Sequence, residues 1–296
     1  MARPCVAVTG GSGYLGGRVV SRLLRDNWRV ITLGRRPSGL RNVEHRSFRL
    51  GDPVAVSELA DVEALVHCAW DLELRTWDDI YGVNVLGTQA LFDAAVKAEV
   101  GRLVHISTVS AGGAPRSMYG RAKLLTEEMA ESHGGIAIRP GLLYGPGAGG
   151  MVGVLRKLVQ ALPLIPVLVG DHRPLYLAHQ DDAVELIALV AGGAEGTVRE
   201  PLVAAATDPH SLREILAALA SAQGKRRLLF RVPWRSVYLA LRSLEVAHLY
   251  PPMRADSALS IGTLDPDPFR SGAMPGALAF RRFEPSTLHE ETQDTR

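Results

Sequence analysis

The chain has 296 residues, enough for one large α/β domain or for a core domain with a smaller lobe, and its 47% hydrophobic and 22% charged residues are ordinary for a globular protein. A formal charge of +2 gives no basic field of the kind nucleic-acid binding needs, so that class is excluded and any anion preference must come from a local cluster. Cys5 and Cys68 sit in separate apolar runs and read as packing residues; with no run of 18 apolar residues and no apolar leader, no membrane-spanning segment is expected and residence is expected to be cytoplasmic.

In chain order, the first apolar run, 5–9, has the undivided pattern of a parallel strand buried on both faces. It leads into Thr9-Gly10-Gly11-Ser12-Gly13-Tyr14-Leu15-Gly16, where Gly10, Gly13 and Gly16 precede and open an amphipathic helix over 14–25. Glycine permits the tight turn and the close approach of backbone to a pyrophosphate, and the helix aims its amides and dipole at that anion; Tyr14 and Leu15 belong to the same cofactor-binding set. The second strand, 30–33, ends in Leu33-Gly34-Arg35-Arg36. An NAD site keeps a carboxylate there for the ribose, whereas the guanidiniums of Arg35 and Arg36 suit a 2′-phosphate, so the expected cofactor is NADP. After a third strand at 47–50, Asp52 is placed either to accept from the adenine amino group or to cap a helix beginning at Pro53.

The fourth strand, 64–69, ends in His67-Cys68-Ala69, with Ala69 in the cofactor set. His67 and Cys68 line the cleft or pack; no second cysteine or histidine stands nearby at ligand spacing, so no metal is expected. A helical pattern over 77–98, a fifth strand at 102–107, a helix at 119–132 and a sixth strand at 136–139 complete the alternation of a doubly wound parallel sheet of the Rossmann type. Tyr119 and Lys123, four apart, share one helix face. A phenol is a poor base near neutrality, but an adjacent ammonium and the nicotinamide charge are expected to lower its pKa and make Tyr119 a proton shuttle.

Beyond Pro140 the rhythm changes, and the glycines from Gly141 to Gly150 read as loop. Helices follow at 152–161 and 181–189, then a strand at 202–206 that returns to the sheet or extends it, then a helix opened by Ser211 with Glu214 in a capping box. Residues 235–250 form a further helix, apolar around most of its girth. Burial is its ordinary reading; a cover over a hydrophobic substrate, or peripheral contact with a membrane surface, is the alternative. The division is a Rossmann core over 1–140, a smaller C-terminal substrate lobe over 141–270 with elements returning to the core, and a flexible tail over 271–296.

Together with the glycine loop, Asn84-Val85-Leu86-Gly87-Thr88, Tyr119-Gly120-Arg121-Ala122-Lys123 and Arg139-Pro140-Gly141-Leu142-Leu143-Tyr144-Gly145-Pro146-Gly147 make residues 4–190 resemble the extended or atypical short-chain dehydrogenase/reductases of the epimerase/dehydratase-like branch. The resemblance implies an NADP-dependent oxidoreductase or epimerase acting on a carbonyl or secondary alcohol of a small-molecule substrate. It implies that Lys123 also binds the nicotinamide ribose, and that the third catalytic residue is Thr108, with Ser107 and then Ser110 as the next choices. His179 and Asp182 resemble the family's His-x-x-Asp element, which joins the lobes, and Trp70 and Tyr144 border the substrate cleft or pack in loops. The helices over 77–98 and 119–132 are where relatives form a homodimer. Relatives acting on sugar nucleotides carry an arginine four residues before that histidine; Leu175 stands there, which leaves a hydrophobic substrate beside a sugar-nucleotide-like one. A non-catalytic NADP-binding redox sensor or assembly subunit is the alternative of a different class, and such relatives commonly lose the tyrosine or lysine that this chain keeps.

Overall fold

Cys5, Val6, Ala7 and Val8 are all buried, so β1 (Cys5–Thr9) is an inner strand with apolar neighbours on both faces. The computed structural model describes residues 3–169, 173–194, 200–270, 272–273, 278–284 and 288. After β1 come α1 (Tyr14–Arg25), β2 (Arg29–Gly34), β3 (Val43–Ser47), β4 (Ala64–His67), α2 (Trp77–Asp79), α3 (Leu86–Lys97), β5 (Arg102–Ile106), α4 (Met118–Ser132) and β6 (Ile136–Pro140). The second part of the chain adds β7 (Leu142–Tyr144), α5 (Gly150–Ala161), β8 (Leu164–Val169), β9 (Leu175–His179), α6 (Gln180–Ala191), β10 (Leu202–Ala204), β11 (Pro209–His210), α7 (Leu212–Ala222), β12 (Leu228–Pro233), α8 (Trp234–Val246) and α9 (Ala255–Gly262).

Seven strands form one parallel sheet in the order β10-β6-β5-β4-β1-β2-β3. The chain winds outward in opposite directions from the β1/β4 junction, which opens a crevice at the carboxyl ends of those two strands. Val6, Val8, Val30, Val66 and Val104 meet one layer with Val19, Leu23 and Ile187 from α1 and α6. On the other face, Ala7, Ile31, Leu33 and Leu65 meet Leu91, Phe92 and Ala130 from α3 and α4. A second lobe is built on the sheets β11-β9-β7 and β12-β8, with Ile165, Val167, Leu175, Leu177, Ile215 and Leu219 in its core.

Several boundaries differ from the sequence reading for physical reasons. The third strand is Val43–Ser47, not 47–50: it is an edge strand of mostly polar, partly exposed residues, so its pairing with β2 leaves no apolar signature. The glycine-rich stretch after Pro140 is not all loop, since Leu142–Tyr144 pairs with β9, a partner more than thirty residues away. The helix expected over 77–98 is interrupted by a widened turn at Ile80–Val85, next to the site where buried Asn84 exchanges hydrogen bonds with the Asp71 backbone. α8 ends at Val246 and has no buried residue, so the buried-helix reading is overturned. Part of the expected flexible tail, 271–296, lies outside the described residues; within the described part, Phe283 and Leu288 enter the second-lobe core and Arg281 is fixed by Asp182. That part of the tail is held by burial and charge, contrary to expectation. Among the described residues, no helix is long and apolar enough to cross a membrane.

Candidate active site

The crevice starts at the glycine turn. Gly10 has φ +67°, and a Cβ there would stand 3.0 Å from the Ala69 backbone, so the segments leaving β1 and β4 come this close because position 10 lacks a side chain. A Cβ at Gly16 would collide with the Gly10 carbonyl, which brings the first turn of α1 down onto the loop. Gly13 occupies the N-cap position of α1 with no side-chain cap, leaving the helix amides at that end for another acceptor. The Tyr14 hydroxyl donates to Gln180 Oε1, and Leu15 packs on the sheet core. A turn whose backbone is bared by glycine and a helix N-terminus without a side-chain cap fit a dinucleotide pyrophosphate.

Arg35 and Arg36 are exposed where β2 ends, and no carboxylate among the described residues pairs with either. Asp52 is exposed on the turn after β3; the nearby helical turn Val56–Leu59 has Ala55 before it and no side-chain cap, so the capping role considered for Asp52 is not realised. Thr9 organises the floor between the strands. Its hydroxyl accepts from the Cys68 and Ala69 amides at 3.1 and 3.0 Å, which leaves its proton for His67 Nδ1 at 2.7 Å. His67 Nε2 then donates to Thr88 at 2.9 Å. Burial, with the Lys123 charge adding to it, pushes His67 down to about 3, so it is a neutral bridge with both nitrogens used.

The segment after β5 and the helix α4 carry the three hydroxyl and amine groups singled out by the sequence. The Thr108 hydroxyl accepts from the Ser110 amide at 3.2 Å and lies close enough to the Tyr119 phenol to favour its ionised form. Ser107 Oγ is buried without a partner among the described residues, while Ser110 Oγ accepts from Ser260 Oγ at 3.1 Å. Lys123 is buried; its Nζ donates to the Ile106 carbonyl at 2.7 Å and stands 3.8 Å from the centroid of the Trp70 ring. Trp70 in turn meets Tyr119 edge to face at 5.9 Å, so one indole contacts both residues.

Burial pushes both groups toward their neutral forms. Burial raises the Tyr119 phenol to about 12, and the nearby Thr108 hydroxyl only partly offsets it. Burial also lowers Lys123 to about 7, against the pull of Cys68 and Glu127, so near neutrality its cation is only partly present to favour a phenolate. In the surroundings the protein itself supplies, the phenol is therefore protonated near neutrality.

Two supports of α4 were not legible in the sequence. Asp256, from α9, accepts the Met118 and Tyr119 amides at 2.7 and 3.1 Å, placing a carboxylate at the positive end of the helix that carries Tyr119. The interval of 137 residues gives no local signal. Asp256→Ala is expected to cost about 1 kcal/mol in urea unfolding and to lower kcat several-fold with little change in cofactor affinity. Further along α4, Glu127 and Arg139 form a buried pair at 2.6 Å that ties the helix to β6. Glu127→Ala leaves a buried guanidinium without its carboxylate and is expected to cost about 3–5 kcal/mol, whereas Glu127→Leu with Arg139→Met recovers most of that stability; equal losses in thermal denaturation would refute this.

His179 caps α6, accepting the Asp181 amide at 3.3 Å, and stacks edge to face with Tyr144 at 5.1 Å. Asp182 spends both carboxylate oxygens on Arg281. Leu175 is buried in the second-lobe core, and the Arg173 guanidinium is turned to the Leu264 carbonyl.

Residues 6–203 match the model of a family described as the NAD dependent epimerase/dehydratase family. A ceramide reductase from Caulobacter vibrioides is 30% identical over 240 residues, 78% of this chain and 74% of that protein. A dTDP-6-deoxy-L-talose 4-dehydrogenase (NAD(P)(+)) from Kitasatospora kifunensis is 30% identical over 185 residues, 53% of this chain and 58% of that one. Among solved structures, MoeE5 in complex with UDP-glucose and NAD superposes with a TM-score of 0.73 at 20% identity, over 98% of this chain and 99% of that one, a likeness of fold.

Proposed function

The chain belongs to the NAD dependent epimerase/dehydratase family of oxidoreductases and epimerases, and on that premise we propose that it is an NADPH-dependent reductase of a ketone carried on a hydrophobic, long-chain substrate. The Thr108 hydroxyl beside the Tyr119 phenol, with Lys123 one helical turn away, carries this reading. Thr108 orients the substrate oxygen and Tyr119 donates the proton that the oxygen needs as the carbonyl becomes an alcohol; a phenol held near 12 enters that step protonated. Gly10, Gly13, Gly16, Tyr14, Leu15, Asp52 and Ala69 hold the dinucleotide, Arg35 and Arg36 its 2′-phosphate, and Lys123 the nicotinamide ribose. The reduced nicotinamide supplies the hydride.

The hydrophobic substrate class is supported by Leu175, buried where relatives acting on sugar nucleotides carry an arginine, by the engagement of Arg173 elsewhere, and by the likeness to a ceramide reductase. The test is NADPH consumption with long-chain ketones against UDP-glucose and other nucleotide sugars, with product analysis for silent epimerisation. Turnover of the nucleotide sugars alone would overturn the substrate assignment.

A further inference from the structure

Of the fifteen large apolar side chains exposed among the described residues, nine lie on the segment from the end of α5 into β8 and on the stretch from β12 to Tyr250. On that second stretch Leu228 is 73% exposed, Phe230 40%, Leu239 62%, Val246 66%, Leu249 58% and Tyr250 52%. β12 pairs with β8 in a sheet of only two strands, and α8 follows β12 directly and presents its half-buried stripe of Trp234, Val237, Tyr238, Leu241 and Glu245 inward. The opposite side of α8 alternates Leu239 and Val246 with Arg235 and Arg242, each pair seven residues apart and thus on one side of the helix.

Charge is concentrated on the same stretch. Residues 225–254 hold seven lysines and arginines against one carboxylate, Glu245, which faces inward and accepts the Ala255 amide. The stretch is net +6 in a chain whose total is +2, so the other residues together carry −4. Aliphatic and aromatic side chains set among arginines, on an unburied helix, are what an interface between water and anionic lipid selects. Apposing the same face of a second copy would instead bring arginine against arginine.

We propose that the face formed by β8, β12, α8 and the turn to Tyr250 docks on the surface of an anionic bilayer, with its apolar side chains entering the interface and its arginines meeting headgroup phosphates. The face adjoins the crevice. Arg75 lies over the Tyr250 ring at 4.0 Å, Arg254 donates to the Leu72 and Leu74 carbonyls just beyond Trp70, and α9 carries the Asp256 that caps the Tyr119 helix. A protein seated this way has its substrate cleft beside the membrane.

The experiment is flotation of the purified protein with vesicles of phosphatidylcholine alone and of phosphatidylcholine mixed with phosphatidylglycerol, at low and high salt. Binding is expected only to the mixed vesicles and to weaken with salt. Arg235→Gln with Arg242→Gln should reduce partitioning by roughly 25-fold, about fivefold for each arginine, and Leu239→Glu with Val246→Glu should abolish it. These positions are exposed, so circular dichroism and NADPH affinity are expected to match wild type. The proposal is overturned if the mixed vesicles do not retain the protein, or if both double variants bind like wild type. It is equally overturned if sedimentation shows that the variants only break a dimer while wild type ignores vesicles. The readout needs no substrate, so failure here leaves the ketone-reductase reading standing, and failure of that reading leaves this one.

Discussion

Replacing Tyr119 with phenylalanine is expected to lower kcat by about 100- to 10,000-fold, the range lost with a single general acid, while NADPH binding stays within twofold or so of wild type. The substitution removes one hydroxyl from a half-buried ring that keeps its edge contact with Trp70, so the fold and the cofactor cradle are undisturbed. Thr108 keeps the Ser110 amide as its partner. Thr108→Val should show a smaller loss, since it orients the oxygen without supplying the proton. A Tyr119→Phe enzyme that turns over at the wild-type rate would end the catalytic assignment. Lys123 gives a second signature. With its amine held at about 7, kcat/KM is expected to fall as pH rises through that value, and Lys123→Met should remove this limb of the profile. The sign of the stability linkage follows from the same shift. Between about 7 and 10.5 the unfolded chain binds a proton that the folded one has released, so folding stability rises with pH across that window and Lys123→Met removes the rise.

The second large effect is on cofactor choice. Arg35→Ala is expected to weaken NADPH by about 10- to 150-fold, the equivalent of one charge-assisted hydrogen bond, with exposure placing the result toward the lower end. NADH, which lacks the 2′-phosphate, should bind wild type and variant alike. Arg36→Ala should give a smaller loss of the same kind, and the wild-type preference should shrink as salt is raised because both guanidiniums are exposed. Equal affinities of wild type for NADPH and NADH, measured by titration, would refute the arginine argument.

The two lobes were unequally readable. The central strands are apolar on both faces and are bounded by glycine or turn residues, so β1, β4 and β6 could be placed closely from composition alone. The edge strand β3 could not, since a polar strand differs from a loop only by the neighbour it pairs with. The same holds for β7, β9 and β11, a small sheet assembled from segments with no shared local pattern. The capping box at Ser211 and Glu214 was readable because capping is local, and it forms as expected. Asp256 does comparable work for α4 from a distant helix and left no trace in the local pattern.

By itself the sequence determined the strand–helix alternation, the glycine turn and the spacing of Tyr119 and Lys123, because each is carried by residues within a few positions of one another. Tertiary structure alone decided how the protein itself biases those two groups: burial lifts the phenol and depresses the amine, a contribution that spacing does not reveal. It also decided that α8 stays on the surface, since an apolar helix is buried only where another element arrives to cover it, and among the described residues its outer side meets none.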